Sequence, residues 1–284
     1  MAVQRASVSR RITLIGSGPV GVSLAKQLVS AGHQVTISNS RGPESLEKQV
    51  QETGALAAMT DQAVSKAEVV MLGVPMKSIP SLQSLLRANL RPDAILVDCG
   101  NYYPSRDGNI AELDEGMPET VWVSRLVSRP VIKAFNSIIA THIVSNARPK
   151  GSPQRSGLPI SGDNEEAKAL IMGLVEEIGF DAYDAGKLEE SWRQQPGEPA
   201  YCTEPSLAEL PDLLARANHE KAVQNRDQAR SILEKLPEDF DSQVLLRVSR
   251  LSNGMDRLKI QSYVAIFKLG FALLTSSGKR TNRN

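Results

Sequence analysis

Three glycines near the start of the chain have the spacing needed to hold a phosphate group. Residues 16–21 read Gly-Ser-Gly-Pro-Val-Gly, a match to the pattern G-x-G-x-x-G, between a predicted strand and a segment with helical periodicity. In that setting the first glycine permits a tight turn, the second lets the backbone approach a diphosphate, and the third lets helix and strand pack closely. Pro19 is tolerated at the first helical position, where free N–H groups attract anions. A purely structural turn is the alternative. The predicted contacts to a dinucleotide are Gly16, Ser17, Gly18, Pro19 and Val20.

The residues about 20 positions further on discriminate between dinucleotides, because an acidic side chain there binds the adenosine ribose. The second predicted strand runs into Ser38, Asn39, Ser40 and Arg41, and no Asp or Glu appears before Glu44. A carboxylate would repel a 2′-phosphate. Hydroxyls and an amide can instead donate hydrogen bonds to that phosphate, and an arginine can donate two parallel hydrogen bonds to it. We therefore predict NADP as the cofactor. An ordinary polar turn with a solvated arginine is the alternative.

Further candidates follow from the rule that ligands of parallel sheets bind beyond the carboxyl ends of the strands. Asn101 and Asn136 follow two predicted strands and could orient the nicotinamide carboxamide or a second substrate. A turn at Asn101, or capping of a helical run after Asn136, explains these residues equally well. The predicted contacts on the nicotinamide side are Val74, Pro75, Asn101, Ala134, Phe135 and Asn136.

The sequence offers no catalytic acid, base or nucleophile that stands out. His33 is expected to be structural or exposed and His219 solvated, while His142 could reach the pocket but more naturally belongs to the core or surface. Lys133 is either a catalytic cation or an ordinary strand residue. Cys202 shows no sign of activation. No motif has metal-ligand spacing, so we predict no metal site. Hydride transfer between two bound redox cofactors needs mainly positioning and exclusion of water.

Composition excludes several classes of protein. The chain has 284 residues and a formal net charge of +1, with 41% hydrophobic and 23% charged residues. These values are typical of a globular protein and argue against general binding to nucleic acids or membranes. Two cysteines are too few for a disulfide framework, which favours a reducing compartment. The basic first eleven residues lack an apolar region for secretion and predict a frayed tail or, alternatively, a transit peptide. We expect a cytoplasmic protein.

Alternating apolar runs and helical patterns predict an α/β fold, a Rossmann-type doubly wound and mostly parallel sheet that continues to about residue 186. Thr60 is expected to cap the third helix, and Asp163 with Asn164 the helix that follows them. Four regions are predicted: an N-terminal tail at 1–10, an NADP-binding domain at 11–190, a Pro-rich loop at 191–205, and a helical region at 206–284.

The chain resembles the NADPH-dependent reductases typified by the deazaflavin (coenzyme F-420):NADP oxidoreductases, and the related cytoplasmic domain of six-transmembrane ferric reductases. The resemblance covers roughly residues 11–190 and rests on the segments ITLIGSGPVGVSLAKQLVSAGHQVTISNSR, VVMLGVP, VIKAFN and LPISGDNEEAKALIMGLVEEIGF. It implies NADP contacts at residues 16–20 and 38–41, and nicotinamide-side contacts at 74–75 and 134–136. The longer helical tail leaves the electron acceptor open.

Together these features predict an NADPH-dependent oxidoreductase that exchanges hydride with a flavin or deazaflavin. Reduction of an imine is an alternative, because VIKAFNSI resembles a substrate loop of pyrroline-carboxylate reductases. A non-catalytic NADP-binding sensor is a third reading. The helical tail is expected to pack on the sheet domain or on a second subunit of a homodimer, and the loop from Trp192 to Cys202 is expected to border the pocket.

Overall fold

The computed structural model describes residues 8–237 and 239–276. Residues 1–7 of the predicted N-terminal tail and residues 277–284 of the helical region lie outside the described residues. The strands are β1 (Arg11–Ile15), β2 (Gln34–Ser38), β3 (Leu56–Ala57), β4 (Val69–Leu72), β5 (Ile95–Asp98), β6 (Val131–Lys133), β7 (Gly157–Ile160) and β8 (Asp181–Asp184).

Thirteen α-helical segments connect and follow these strands in the described residues. They are α1 (Pro19–Ser30), α2 (Glu47–Thr53), α3 (Thr60–Lys66), α4 (Ile79–Asn89), α5 (Pro104–Asp107), α6 (Ala111–Asp114), α7 (Glu119–Val127), α8 (His142–Ser145), α9 (Glu165–Glu177), α10 (Leu210–Ala215), α11 (His219–Leu233), α12 (Ser242–Ser252) and α13 (Ile260–Ser276). Short 3-10 segments occupy Pro43–Leu46, Met76–Ser78 and Leu188–Gln194. None of the described helices is long and apolar enough to cross a membrane.

Six strands form one parallel sheet in the order β3-β2-β1-β4-β5-β6. The order reverses between β1 and β4, as it does in dinucleotide-binding folds, so the predicted fold class is confirmed. Helices cover both faces. In β4, Val69 and Met71 join the core beside α1 and α9, whereas Val70 and Leu72 join the core beside α3, α4 and α7. Because side chains alternate along a strand, an uninterrupted apolar run marks a strand buried on both faces.

The prediction that this sheet continues to about residue 186 is wrong. β7 and β8 pair with each other in a separate parallel sheet of two strands. A single antiparallel bridge between Lys133 and Ser161 connects them to β6. At the start of β7, Gly157 donates its N–H to Pro205 O (2.6 Å). The loop at Pro205 therefore takes up a backbone N–H of β7 that would be needed if β7 continued the hydrogen-bonded ladder of the large sheet.

Several local predictions also need correction. The helical run predicted after Asn136 contains only the four-residue α8, and Thr141 occupies its N-cap position. Phe135, just before this run, has a left-handed backbone with φ 62°. Thr60 is the first residue of α3 and not its cap. Residues 192–194, predicted as loop, end a 3-10 segment. The short helices α5 to α7 were not predicted.

The helical tail is attached to the small sheet through its first helix. Leu210, Leu213 and Leu214 of α10 form a buried cluster with Ala200 and Met255. Tyr183 of β8 and Ala185, directly after the strand, pack against this cluster. The tail therefore packs on the α/β part of the chain. This is the first of the two predicted arrangements, the other being packing on a second subunit. In contrast, α13 packs on α12 but leaves much of its own apolar surface exposed.

Candidate active site

The loop between β1 and α1 has the geometry for which its three glycines are needed. Gly16 has φ +119°, and a Cβ there would lie 2.3 Å from the oxygen of Gly73. A Cβ on Gly21 would lie 2.1 Å from the oxygen of Gly16. Gly18 is exposed and faces open space, with nothing within 4 Å of a Cβ placed there. Since α1 begins directly after it at Pro19, the helix N-terminus opens onto a space that suits a diphosphate.

The segment after β2 is fastened to this loop through Asn39. The Asn39 Nδ2 donates to Ser17 Oγ (3.2 Å) and Ser45 Oγ (2.9 Å), and its Oδ1 accepts from Arg41 N (2.9 Å). Ser40 and Arg41 are exposed. In the part of the chain that the structure describes, no carboxylate pairs with the Arg41 guanidinium. The glycine loop at residues 16–21 and the guanidinium of Arg41 are thus held on neighbouring segments.

The other predicted contacts differ in accessibility. Val74 and Pro75 are partly exposed, whereas Ser38 and residues 134–136 are buried. Ser38 Oγ finds no hydrogen-bond partner among the described residues. Phe135 keeps its left-handed φ of 62° although it is buried, a conformation that costs about 1–3 kcal/mol and is found most often at functional sites. A ligand could touch these buried groups only after local movement.

Asn101 and Asn136 do lie together, but their side chains are already bonded. Asn136 Nδ2 donates to Asn101 Oδ1 (3.1 Å), and its Oδ1 accepts from Gln194 Nε2 (3.0 Å). Asn101 Nδ2 donates to Asn136 O (3.0 Å) and to Tyr201 Oη (3.3 Å). Tyr201 Oη lies 2.7 Å from Tyr103 Oη. A chain of amides therefore ends in a pair of tyrosine hydroxyls, which were not among the predicted site residues.

A buried charge network supports the turn that carries Asn101. Lys133 Nζ donates to Asp98 Oδ2 (3.1 Å), Glu119 Oε2 (3.2 Å) and Gly100 O (2.7 Å), and all three side chains are buried. Burial alone would lower the pKa of the Lys133 ammonium, but the two carboxylates raise it above its ordinary value. Burial raises the pKa of the Glu119 carboxyl, against the effect of Lys133. Lys133 is therefore a structural cation that touches no open surface.

His33 and His142 are both buried, and each makes polar contacts away from the glycine loop. His33 Nε2 lies 2.8 Å from Glu177 Oε2, in the structural role that was expected. His142 contacts Glu204 through Nδ1, and its Nε2 lies 2.9 Å from Ser242 Oγ. His142 thus joins α8 to the start of α12, in a core position.

The remaining polar candidates have structural roles. Asn164 caps α9 with its side chain, as predicted, and Asp163 accepts a backbone N–H of the 3-10 segment. Burial raises the pKa of the Cys202 thiol to about 12, so it is not an activated nucleophile. His219 is exposed, and its ring lies 5.1 Å from that of Trp192. No group of three potential metal ligands occurs in the described ranges.

A cleft of ≈ 480 Å³, which we call the tail cleft, lies between residues 197–202 and the helices α11, α12 and α13. Among the described residues that line it, only Glu198 is charged. Tyr103 and Tyr201 form the wall nearest Asn101. Part of the predicted loop therefore borders a pocket, and the tail helices form the opposite wall. The remaining lining is mostly apolar, with contributions from Ile139, Ile232, Leu245, Val248 and Leu269.

Comparison with known proteins identifies relatives. The family model of coenzyme F420-dependent NADP oxidoreductases matches residues 11–102. The solved structure of the hypothetical protein SMa0349 from Sinorhizobium meliloti is 30% identical, covers 69% of this chain and 95% of its own, and superposes with a TM-score of 0.58. A protein from Arthrobacter sp. FB24, named as a candidate F420-dependent NADP reductase, is 26% identical, with 63% of this chain and 86% of that chain covered and a TM-score of 0.54.

A curated relative matches over a shorter stretch. The Escherichia coli protein YjhV is 42% identical over 77 residues, which are 27% of this chain and 49% of that protein. The match therefore spans only about half the length of this relative.

Proposed function

Because the chain belongs to the family of coenzyme F420-dependent NADP oxidoreductases, we propose that it binds NADPH across the carboxyl ends of β1 and β2 and transfers its hydride to a second redox partner. The observation that carries this proposal is the hydrogen bond from Asn39 Nδ2 to Ser17 Oγ (3.2 Å). It fixes the loop that would receive the diphosphate beside the loop that would receive the 2′-phosphate.

The residues present fit NADPH in three respects. Gly18 leaves the N-terminus of α1 open to a diphosphate. Ser40 and Arg41 are exposed, and Arg41 has no competing carboxylate among the described residues. Val74 and Pro75 remain partly exposed at the end of β4, where the nicotinamide would lie. When bound, NADPH would supply the hydride, while the chain supplies orientation and exclusion of water.

For the second partner we propose a flavin or deazaflavin, which the family match supports. A cytoplasmic location is part of the proposal, because both cysteines are unpaired, as a reducing compartment would keep them.

Cofactor preference tests the proposal directly. The protein should bind NADPH more tightly than NADH, and Arg41→Ala should weaken NADPH binding about tenfold or more, because a charge-assisted hydrogen bond contributes about 1.5–3 kcal/mol. NADH binding should hardly change. Arg247→Ala removes an exposed arginine from α12 and is the matched control. Equal affinities of the wild type for the two cofactors, measured by fluorescence titration, would contradict the assignment.

We further propose that the protein is a homodimer formed through α13. Ile260, Val264, Phe267, Phe271 and Leu274 are all exposed, with Phe267 at 78% and Phe271 at 70%. Their alternating spacing of four and three residues places them on one stripe of the helix, the pattern by which two helices pair. A two-fold axis would bury the same stripe on both copies.

Light scattering tests this assembly. The wild type should have twice the mass of the chain, and Phe267→Ser with Phe271→Ser should yield monomers. Val223→Ser removes an exposed apolar side chain from α11 and should leave the dimer intact. A monomeric wild type would refute the proposal.

A further inference from the structure

The tail cleft shares a wall with the turn that follows β5. Tyr201 Oη accepts from Asn101 Nδ2 (3.3 Å), and Asn101 lies three residues beyond the end of β5, at the edge where the nicotinamide is proposed to bind. The cleft volume of ≈ 480 Å³ falls within the range of about 300–1,000 Å³ for small-molecule sites. An acceptor bound in the tail cleft would therefore contact Tyr103 and Tyr201 on the side of the cleft that faces the sheet.

Resting on the proposed function, we infer that the tail cleft binds the uncharged reacting part of the acceptor and that Tyr201 donates the proton that completes its reduction. The carbon that takes the hydride must belong to a C=O or C=N group, as in a ketone, or be conjugated to one, as in a deazaflavin. The hydride brings its electron pair to that carbon, the π electrons move onto the oxygen or nitrogen, and that atom takes the proton of Tyr201. Tyr103 returns a proton to Tyr201, and solvent replenishes Tyr103.

The surroundings of Tyr201 favour this transfer. Asn101 Nδ2 donates at 3.3 Å to the Tyr201 oxygen, which becomes negative as its proton leaves, and the Tyr103 hydroxyl, 2.7 Å away, is free to rotate and donate to it as well. Preorganised donors of this kind stabilise developing charge without reorganisation. Asn136 fixes the Asn101 amide so that its NH₂ faces the tyrosine. In the resting state burial raises the pKa of Tyr201 well above its ordinary value, which keeps the hydroxyl protonated.

The charges around the tail cleft indicate that the part of the acceptor inside it carries no charge. Glu198 is the one charged side chain among the described lining residues, and a substrate carboxylate would find no cation there. Two guanidiniums stack on the Tyr103 ring, each 5.4 Å from its centroid, but both are paired with carboxylates. Arg106 binds Asp107 (2.8 Å) and Arg230 binds Glu234 (2.7 Å). Burying an unpaired anion in such a site is costly.

The class of acceptor is tested with three probes: 5-deazariboflavin and phenylacetone, which are uncharged, and phenylpyruvate, which is the carboxylate counterpart of phenylacetone. NADPH binding to the wild type is measured first, by cofactor fluorescence. We expect kcat/KM for at least one uncharged probe to exceed that for phenylpyruvate tenfold or more. A preference for phenylpyruvate, or no NADPH oxidation with any probe by a protein that binds NADPH, overturns this inference alone. Failure to bind NADPH overturns the proposed function as well.

Tyr201→Phe tests the proton donor. The variant should bind NADPH with wild-type affinity while kcat falls about 100-fold, since positioned acid catalysis contributes about 10²–10⁴. The wild-type rate should be flat from about pH 6 to 9, because its donor stays protonated there. The variant should slow tenfold per pH unit, because it must take the proton from hydronium, whose concentration falls tenfold per unit. Tyr263→Phe, at an exposed tyrosine of α13, should change neither rate nor profile.

Tyr103→Phe keeps the proposed proton donor, Tyr201, and removes only the hydroxyl that hydrogen-bonds to it. This variant therefore provides a second test if Tyr201→Phe does not fold. We expect kcat to fall by about tenfold with NADPH affinity unchanged, because one hydrogen bond to the developing charge is lost. Wild-type kcat in Tyr201→Phe would show that Tyr201 does not donate the proton, and wild-type kcat in Tyr103→Phe would show that the tyrosine pair does not assist the transfer. A parallel loss of kcat and NADPH affinity in either variant would contradict a role confined to the acceptor.

Discussion

The glycine loop and the tail cleft differ in how firmly their residues are held. In the loop, adding one carbon at Gly16 or Gly21 would bring it to 2.3 or 2.1 Å from a backbone oxygen. In the cleft, one wall belongs to α11 and α13, whose apolar side chains are partly exposed, as with Leu233 at 42%. The tightly packed glycine loop has no room for an added carbon, whereas the partly exposed wall of the tail cleft can accommodate changes in its side chains.

This difference suggests how one fold can keep its cofactor and change its acceptor. The positions that would hold a dinucleotide are determined by the sheet and its close approach to α1, so they vary little without loss of the fold. The positions that would select an acceptor lie on helices that the sheet does not constrain. Specificity located on loosely constrained elements is common in α/β proteins, whose functions vary on one scaffold.

The largest expected effect comes from breaking the charge network beneath the sheet edge. Lys133→Met removes the ammonium and leaves the carboxylates of Asp98 and Glu119 buried without a counter-charge. We expect a loss of about 3–5 kcal/mol in the free energy of unfolding, measured by urea denaturation. The double variant Lys133→Met/Glu119→Gln should recover part of this loss, because one of the two stranded charges is removed.

Lys168→Met is the matched control for that substitution. The Lys168 side chain is nearly as buried as that of Lys133, at 4% against 0% exposure, but its partners Glu165 and Asp184 are 76% and 47% exposed. Water can solvate these carboxylates after the lysine is lost, so the expected cost is about 1 kcal/mol or less. Equal losses for the two methionine variants would show that burial of the carboxylates does not determine stability here.

The second expected effect is confined to ligand binding. Gly18→Asp places a carboxylate at the N-terminus of α1, in open space and with a backbone φ of −77° that any residue adopts. We expect stability to stay near the wild-type value while NADPH and NADH affinities both fall about 100-fold or more, since negative charge would face the diphosphate. Calorimetric titration that finds undiminished binding in the folded variant would refute the loop assignment.

A third prediction contrasts two glycine-to-alanine substitutions. Gly21→Ala forces the backbone of α1 away from Gly16 and should cost about 1–3 kcal/mol of stability, like other overpacked sites. Gly173→Ala, in α9 with nothing within 4 Å of the added carbon, should instead stabilise the protein by about 0.5–1 kcal/mol. Thermal unfolding of both variants checks the contrast. If Gly21→Ala were neutral, the close contact would not constrain the loop.

The same contrast explains what the sequence could reveal. The glycine loop and the segment 38–41 lie within one βαβ unit, so local spacing alone predicted their arrangement. The β4 strand was predictable because an apolar run bounded by turns marks a buried strand. The charge network was detectable in principle, since Asp98 and Lys133 each end an apolar strand and a buried charge needs a partner.

The tyrosine pair could not be predicted in this way. Asn101 and Tyr201 are 100 residues apart in sequence, and Asn136 and Gln194 are 58 apart. Neither contact leaves a periodic pattern, because each depends on how residues 188–202 return across the sheet edge. The break between β6 and β7 was missed for a similar reason. Strand periodicity identifies strands but does not state which strand pairs with which.

The smallest expected effect concerns the tail and its dependence on pH. Asp256 binds Arg250 Nε (2.6 Å) and Lys259 Nζ (2.8 Å), and Arg250 also donates to the oxygens of Thr203 and Glu204. The hydrogen bond from Arg250, and to a lesser extent Lys259, lowers the pKa of the Asp256 carboxyl from 3.8 to about 2, against the effect of burial. Asp256 has a left-handed φ of 53°, which asparagine also tolerates, so Asp256→Asn removes the charge without new backbone strain.

Since the folded pKa of Asp256 is below the unfolded value, its ionised form stabilises the protein above about pH 4, and that stabilisation disappears as the pH falls towards 2. Asp256→Asn should therefore weaken the attachment of α12 by about 1–2 kcal/mol at pH 7 and by about half as much at pH 3. Hydrogen exchange of the α12 amides in both proteins at both pH values measures this difference. A difference that stays constant, or grows, as the pH falls would mean that the carboxylate is not what holds Arg250 in place.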